Sequence, residues 1–331
     1  MSTLSTMGMI VRCRVVAMAL ALVAPLASAQ PAPQKFPNRP LRAIVGIAPG
    51  GGMDTISRAL AQKLGDNLGQ TVIVDNRPGA GGNIAMEMAA ASAADGHNLL
   101  IISATAVIHP VLYKARFDVL RDFAPVSQIS AQGYVVAVHP AVPARNIAEL
   151  VAHLKANPGK LNYASSGIGS PIHLTGELFT ALSGTRMTHV PYKGIGAAYA
   201  DMLAGNIEMS FPAIVSSLPH IRAGKLRALA VTLPKRSPVV PELPTIVEAG
   251  VPGVVVVNWY GLLAPLGTPP AIIERLSRGV AASMSQPEVM KRLLADGSDA
   301  ATSTPEAFRA HIAEERDKWT RVIRNANIRA Q

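Results

Sequence analysis

The 331-residue chain is 49% hydrophobic and 16% charged, with aromatics at only 4%; this excludes a disordered polypeptide and allows two domains of ordinary size. Lys plus Arg (31) exceeds Asp plus Glu (21), a balance of +10, but the excess is scattered and no basic stripe forms, which argues against nucleic acid as a partner. The charge then serves solubility or attracts anionic solutes, and a core of Ala, Val, Leu and Ile suits a parallel sheet covered by helices.

The first 29 residues have the pattern of an export signal. Arg12 and Arg14 supply the positive region, 15–26 is an apolar stretch broken only by Pro25, and Ala27-Ser28-Ala29 is a small-residue cleavage site before Gln30. Cleavage after Ala29 would remove two Arg, so the mature balance is 29 − 21 = +8. It would also remove Cys13, the sole cysteine, leaving no disulfide and no thiol ligand. Ile10-Val11-Arg12-Cys13 lacks the small residues of lipoprotein processing. The expected localisation is periplasmic, and no other apolar stretch is long enough to anchor the chain in a membrane.

A Pro-rich leader (30–40) precedes a predicted strand over 41–47, the turn Pro49-Gly50-Gly51-Gly52, and a helix capped by Asp54 with Ile56, Leu60 and Leu64 on one face. A strand over 71–74, the loop Pro78-Gly79-Ala80-Gly81-Gly82, a helix capped by Asn83 and reaching about Ala93, and a strand over 98–103 follow. Further strands are expected over 134–138, 161–164, 187–190, 207–211 and 226–231, with helices over 147–156 and 197–204 between them. Ser170 caps another helix, with Pro171 at its first position. Residues 236–252 resemble a surface excursion, 254–263 a long apolar strand, and 270–330 a helical region whose last helix carries Phe308, Ile312, Trp319 and Ile323.

Alternating strand, glycine loop and helix predicts an α/β chain with mostly parallel sheets flanked by helices. So many strands in one sheet would be unusual, so two sheets are expected. Crossovers near 131–134 and 254–259 give one discontinuous domain, 30–132 plus 257–331, and a second, 133–256.

Glycine-rich loops at 49–54, 78–83 and 165–170 each join a strand to a helix N-terminus. Such loops lie at the carboxyl edge of an open sheet, where ligands bind. The first amides of each helix lack internal acceptors and carry partial positive charge, so a carboxylate or phosphate is the natural guest. Ser165, Ser166 and Ser170 supply hydroxyls for hydrogen bonds to a carboxylate, and Ser103 and Thr105, after a strand end, add further hydroxyl donors. Asp54 is either a helix cap or a ligand contact, His173 either a support behind the serine loop or a satisfied surface group, and Lys193 either a carboxylate partner or a solvated lysine. Trp259 either lines a cleft or fills the hinge core. Enzyme motifs are mostly missing: there is no G-x-S-x-G elbow, no H-E-x-x-H, no Walker loop and no complete dinucleotide fingerprint. The eight histidines show no ligand spacing, so no metal and no cofactor are expected. Hydrolysis by Ser170 and His173 has only their proximity on one helix turn behind it.

The ordered motifs Pro49-Gly50-Gly51-Gly52-Met53-Asp54, Asn76-Arg77-Pro78-Gly79-Ala80-Gly81-Gly82-Asn83, Asp95-Gly96 and Asp122-Phe123-Ala124-Pro125-Val126 carry a family resemblance. It continues through Pro158-Gly159-Lys160-Leu161-Asn162-Tyr163-Ala164-Ser165-Ser166-Gly167, His189-Val190-Pro191-Tyr192-Lys193-Gly194 and Leu218-Pro219-His220-Ile221-Arg222-Ala223-Gly224-Lys225. Trp259, Gly261-Leu262-Leu263-Ala264-Pro265 and Thr268-Pro269 complete it. From about Pro37 to Asn327 the chain resembles the Bug/TctC family of extracytoplasmic solute receptors, the binding components of tripartite tricarboxylate transporters. The resemblance implies a two-domain periplasmic binding protein fold of type II character, with a small organic acid (a di- or tricarboxylate, an acidic amino acid or an aromatic acid) held in the interdomain cleft. One carboxylate would rest on Gly51, Gly52, Ser166, Gly167 and Ser170. Ser210-Phe211-Pro212-Ala213 departs from the Asp-Asn common in the family, which favours a ligand without an ammonium group. His109 stands where Asn is frequent, and Gly46-Ile47-Ala48 where an aromatic is common, which makes for a roomier cleft. The expected protein is a monomeric receptor, not an enzyme, delivering its ligand to membrane permease subunits; the alternative output is signalling through a sensor kinase.

Overall fold

The computed structural model describes residues 36–329 apart from 51, 80–81, 114–115 and 296; the predicted export segment lies outside them. Two sheets organise the chain. The first begins with β1 (Leu41–Val45), α1 (Gly52–Leu68), β2 (Val72–Asn76), α2 (Asn83–Ala90) and β3 (Asn98–Ser103), then α3 (Thr105–Leu112), α4 (Val119–Asp122) and the long β4 (Phe123–Gly133). The second holds β5 (Val135–Val138), α5 (Ile147–Ala156), β6 (Asn162–Ser165), α6 (Pro171–Ser183), β7 (Thr188–Pro191), α7 (Ile195–Leu203), β8 (Met209–Ser210), α8 (Ile214–Arg222) and β9 (Arg227–Val231). The chain then returns through β10 (Val257–Pro265), α9 (Pro270–Met284), α10 (Pro287–Ala295), β11 (Ser298–Ala300) and α11 (Pro305–Asn325). The strand orders are β11-β4-β10-β3-β1-β2 and β7-β6-β8-β5-β9.

The sheets are mixed rather than mostly parallel. β1 pairs parallel with β2 and β3, whereas β10 runs antiparallel to both β3 and β4, and β11 antiparallel to β4. In the second sheet β6 is parallel to β7 and β8, and β5 antiparallel to β8 and β9. The cause is the double crossing: β4 leaves the first lobe and its neighbour β10 re-enters it, so the two must point in opposite directions. Thr232, fully buried, stitches the crossings together. Its hydroxyl accepts the Tyr134 amide at 3.0 Å and donates to the Val256 carbonyl at 2.6 Å, while its backbone bonds Tyr134 and Val256 at 2.9 Å each.

β4, α3, α8 and β11 were not expected from the sequence. β4 contains Pro125 and polar Ser127, Gln128, Ser130 and Gln132, a poor strand composition that tertiary pairing overrides. Ser127 is buried; its hydroxyl donates to the Ser303 carbonyl at 2.9 Å and accepts the Ser303 amide at 3.1 Å. β11 interrupts the region expected to be wholly helical.

The terminal helix α11 buries the four residues read from its spacing, Phe308, Ile312, Trp319 and Ile323. Glu315, on the same face and 6% exposed, accepts both indole N–H groups, from Trp319 at 2.9 Å and Trp259 at 3.3 Å, and also bonds Lys318. Trp259 is fully buried, edge-on to Phe308, so it fills the core rather than lining a cleft. Gly261 permits this packing, since a Cβ there would stand 1.9 Å from Phe308 Cζ. Glu315→Ala should strand two buried donors and cost roughly 2–4 kcal/mol in chemical denaturation, with Glu315→Gln, which keeps an acceptor, losing clearly less.

Candidate functional site

The turn between β1 and α1 is organised by Asp54. The helix starts at Gly52, so Asp54 sits in its first turn rather than capping it. One carboxylate oxygen accepts the Gly50 amide (2.9 Å) and Arg58 Nε (3.0 Å); the other accepts Asn76 Nδ2 (2.9 Å) and faces the Arg58 guanidinium at 3.0 Å. Burial alone would raise its pKa, but the bonds from Arg58, Gly50 and Asn76 outweigh that and hold it below the usual carboxylate value. Both oxygens are engaged within the turn. The amides of Gly52 and Met53 meet no acceptor among the described residues, as expected of a first helical turn. Gly51 lies outside the described residues.

The other loops of the first lobe follow the same plan with different caps. Gly82, at φ 96°, is the N-cap of α2, one residue before the expected Asn83. Ser103 ends β3 and Thr105 opens α3, and neither hydroxyl has a protein partner among the described residues. These turns border a half-open cavity of about 230 Å³ whose wall includes Gly46, Ile47, Met53, Gly82, Ser103 and Thr105.

In the second lobe Ser170 caps α6 as expected, its hydroxyl accepting the His173 amide at 3.2 Å, with Pro171 next. Gly167 (φ 126°) and Gly169 (φ 75°) give the loop its shape. His173 is 5% exposed and lies behind the loop, its Nδ1 accepting the Gly169 amide at 3.0 Å; its proton must then sit on Nε2. His189 stacks on it, ring centroids 3.8 Å apart, and shares a 2.7 Å hydrogen bond with the Ser165 hydroxyl, which accepts the Gly167 amide at 3.1 Å. Below them the Tyr163 hydroxyl donates to Glu177 at 2.6 Å. The amides of Gly167, Gly169 and Ser170 are thus used within the protein, while those of Ser166, Ile168 and Ile172 meet no acceptor among the described residues.

The structure therefore groups Gly52, Ser103 and Thr105 around the first-lobe turns, and Ser166, Gly167, Ser170 and His173 on one second-lobe loop; the latter four do not line the 230 Å³ cavity. The loop reaches the first lobe at Gly169, where a Cβ would stand 2.3 Å from Leu112 of α3. Lys193 is exposed. The supporting residues Ser165, Asn76, Tyr163 and His189 were not assigned these roles from the sequence. Tyr163 and His189 face each other only through the β6–β7 register, which residue order does not display.

Burial pushes His173 down to about 3, with His189 adding to the effect, and burial takes His189 to about 4, from an ordinary value of 6.5. Both rings are harder to protonate folded than unfolded, so the unfolded state binds more protons below about pH 6.5. Stability should be full above that pH and decline as pH falls towards 4 and then 3. Melting temperatures between pH 4 and 7 check this: His189→Gln should show a shallower decline than the parent, and an unchanged slope would contradict the assignment.

A family profile described as the tripartite tricarboxylate transporter family receptor, TctC, matches residues 56–328. BugT of Bordetella pertussis is 36% identical over 292 residues, 87% of this chain and 90% of its own length. Among solved structures, R. palustris Rpa4515 with adipate superposes with a TM-score of 0.76 at 33% identity, covering 89% of this chain and 99% of that one. MatC of Rhodopseudomonas palustris, with bound malate, gives 0.71 at 31% identity, covering 87% and 100%. The two solved structures superpose on the α/β architecture described above, and the profile match spans most of this sequence: the chain belongs to the TctC family of solute-binding receptors.

Proposed function

We propose that this protein is an exported receptor, with residues 1–29 removed after Ala29, that captures a small organic carboxylate between a lobe formed by 30–132 plus 257–331 and a lobe formed by 133–256. The observation that carries this reading is the set of unspent amides at the start of α1 and in the loop that leads into α6, with Gly52 on one side and Ser166, Ile168 and Ile172 on the other. Gly167 and Ser170 shape the second-lobe loop, Ser103 and Thr105 add hydroxyls, His173 holds the serine loop from behind, and Gly51 remains a proposed contact from the sequence alone. Burying a carboxylate requires that its oxygens be hydrogen-bonded, and these groups are donors of that kind. Organic acids bound to the two R. palustris relatives support the ligand class.

In this reading the protein binds without chemical turnover, acts as a monomer, and hands its ligand to the permease subunits of a tripartite transporter in the periplasm. The family description, a tripartite tricarboxylate transporter family receptor, is in keeping with that output; contact with a sensor kinase is the alternative. Closure about the paired crossings β4 and β10 would bury the anion and present a docking surface.

Thermal unfolding with a panel of organic acids and neutral sugars tests the reading. An acid at a hundredfold excess over its dissociation constant should add about 2.7 kcal/mol of stability, a rise of several degrees in Tm. Stabilisation by sugars with none by any acid would overturn it.

A further inference from the structure

The first-lobe cavity extends this reading, and rests on it, by specifying the rest of the ligand. We propose that the acid carries an uncharged, apolar body, a ring or an alkyl chain of comparable bulk, and that this body occupies the cavity while the carboxylate meets the amides at its rim.

Three observations lead there. The cavity measures about 230 Å³, and a dry cavity of ~150 Å³ already accommodates benzene in another protein. Its wall is supplied largely by Ile47, Met53, Met86, Ile102 and Ala106, with no charged side chain among its lining residues. Methionine thioethers adapt to rings of differing shape. Moreover, the cavity is continuous with the anion-binding turns: Met53 and Thr105 lie in the first turns of α1 and α3, and Gly82 caps α2. At Gly46 the backbones close in, since a Cβ there would stand 2.9 Å from Gly82 Cα.

Charge selects against the alternatives. A second carboxylate in this cavity would be desolvated with no Lys or Arg to pair it. A ligand ammonium would find no free anion either, because both oxygens of nearby Asp54 are taken by Arg58, Asn76 and Gly50. The Ser103 and Thr105 hydroxyls offer a neutral hydrogen bond to a hydroxyl or ether on the ligand without demanding one.

Calorimetric titration of the full chain with benzoate, hexanoate, propionate and malate provides the test. Benzoate or hexanoate should bind at least tenfold more tightly than both propionate and malate. Ile47→Phe, which places a ring at the cavity wall, should narrow the preference for benzoate over propionate about tenfold; if that variant does not fold, Ala106→Val should do the same. Malate binding more tightly than benzoate and hexanoate, or a preference unchanged in the folded variant, would overturn the apolar-body proposal while leaving carboxylate capture standing. Failure of every acid to bind would overturn both.

Discussion

A strand that turns directly into a helix leaves the helix's first amides pointing away from their own chain, with no acceptor to meet them. Repeated at one edge of a sheet, this deficit becomes a local surplus of partial positive charge. In this protein the fold spends only part of that surplus. Asp54 takes the Gly50 amide, Ser170 takes that of His173, and His173 in turn takes that of Gly169. Each such bond fixes the shape of a loop, and the amides left between them are what the proposed site would offer a ligand. The rest of the architecture serves to hold those turns in place.

The second lobe invests more in that task than the first. Its serine loop sits on buried His173 and Tyr163 and half-buried His189, whose rings pack together and are closed off below by Glu177. Because burial keeps both histidines neutral near pH 7, the support adds no cation that would bind anions without regard to their shape. Under the proposed function, selectivity for a carboxylate comes from oriented dipoles, whose geometry matters more than their net charge. The first lobe relies instead on the Asp54–Arg58–Asn76 cluster and keeps the adjoining cavity apolar.

Much of the fold was legible because it is written locally. Strand β3 and helix α5 fall where hydrophobic pattern and breakers put them, and the Ser170-Pro171 cap needed only two residues to be recognised. β4 was not legible, because its Ser and Gln residues earn their place only by pairing with β10 and with Ser303. The mixed direction of the sheets was hidden for the same reason: it follows from where the chain crosses between lobes, not from any segment's own composition. At the site, glycine loops and serines announced themselves, whereas the role of His189 depends on a partner across two strands. Asp54 illustrates a subtler limit, since its residue type fits a cap, a ligand contact and a loop organiser equally well until its donors are known.

The most direct measurement of the central claim is amide-resolved NMR of the full chain during titration with organic acids, benzoate and malate among them. The account predicts that whichever acid binds moves the amide signals of Gly52, Met53, Ser166, Ile168 and Ile172 far more than those of Gly50, Gly169 and Ser170, whose hydrogen bonds lie within the protein. An acid that binds while those five signals stay in place would contradict it.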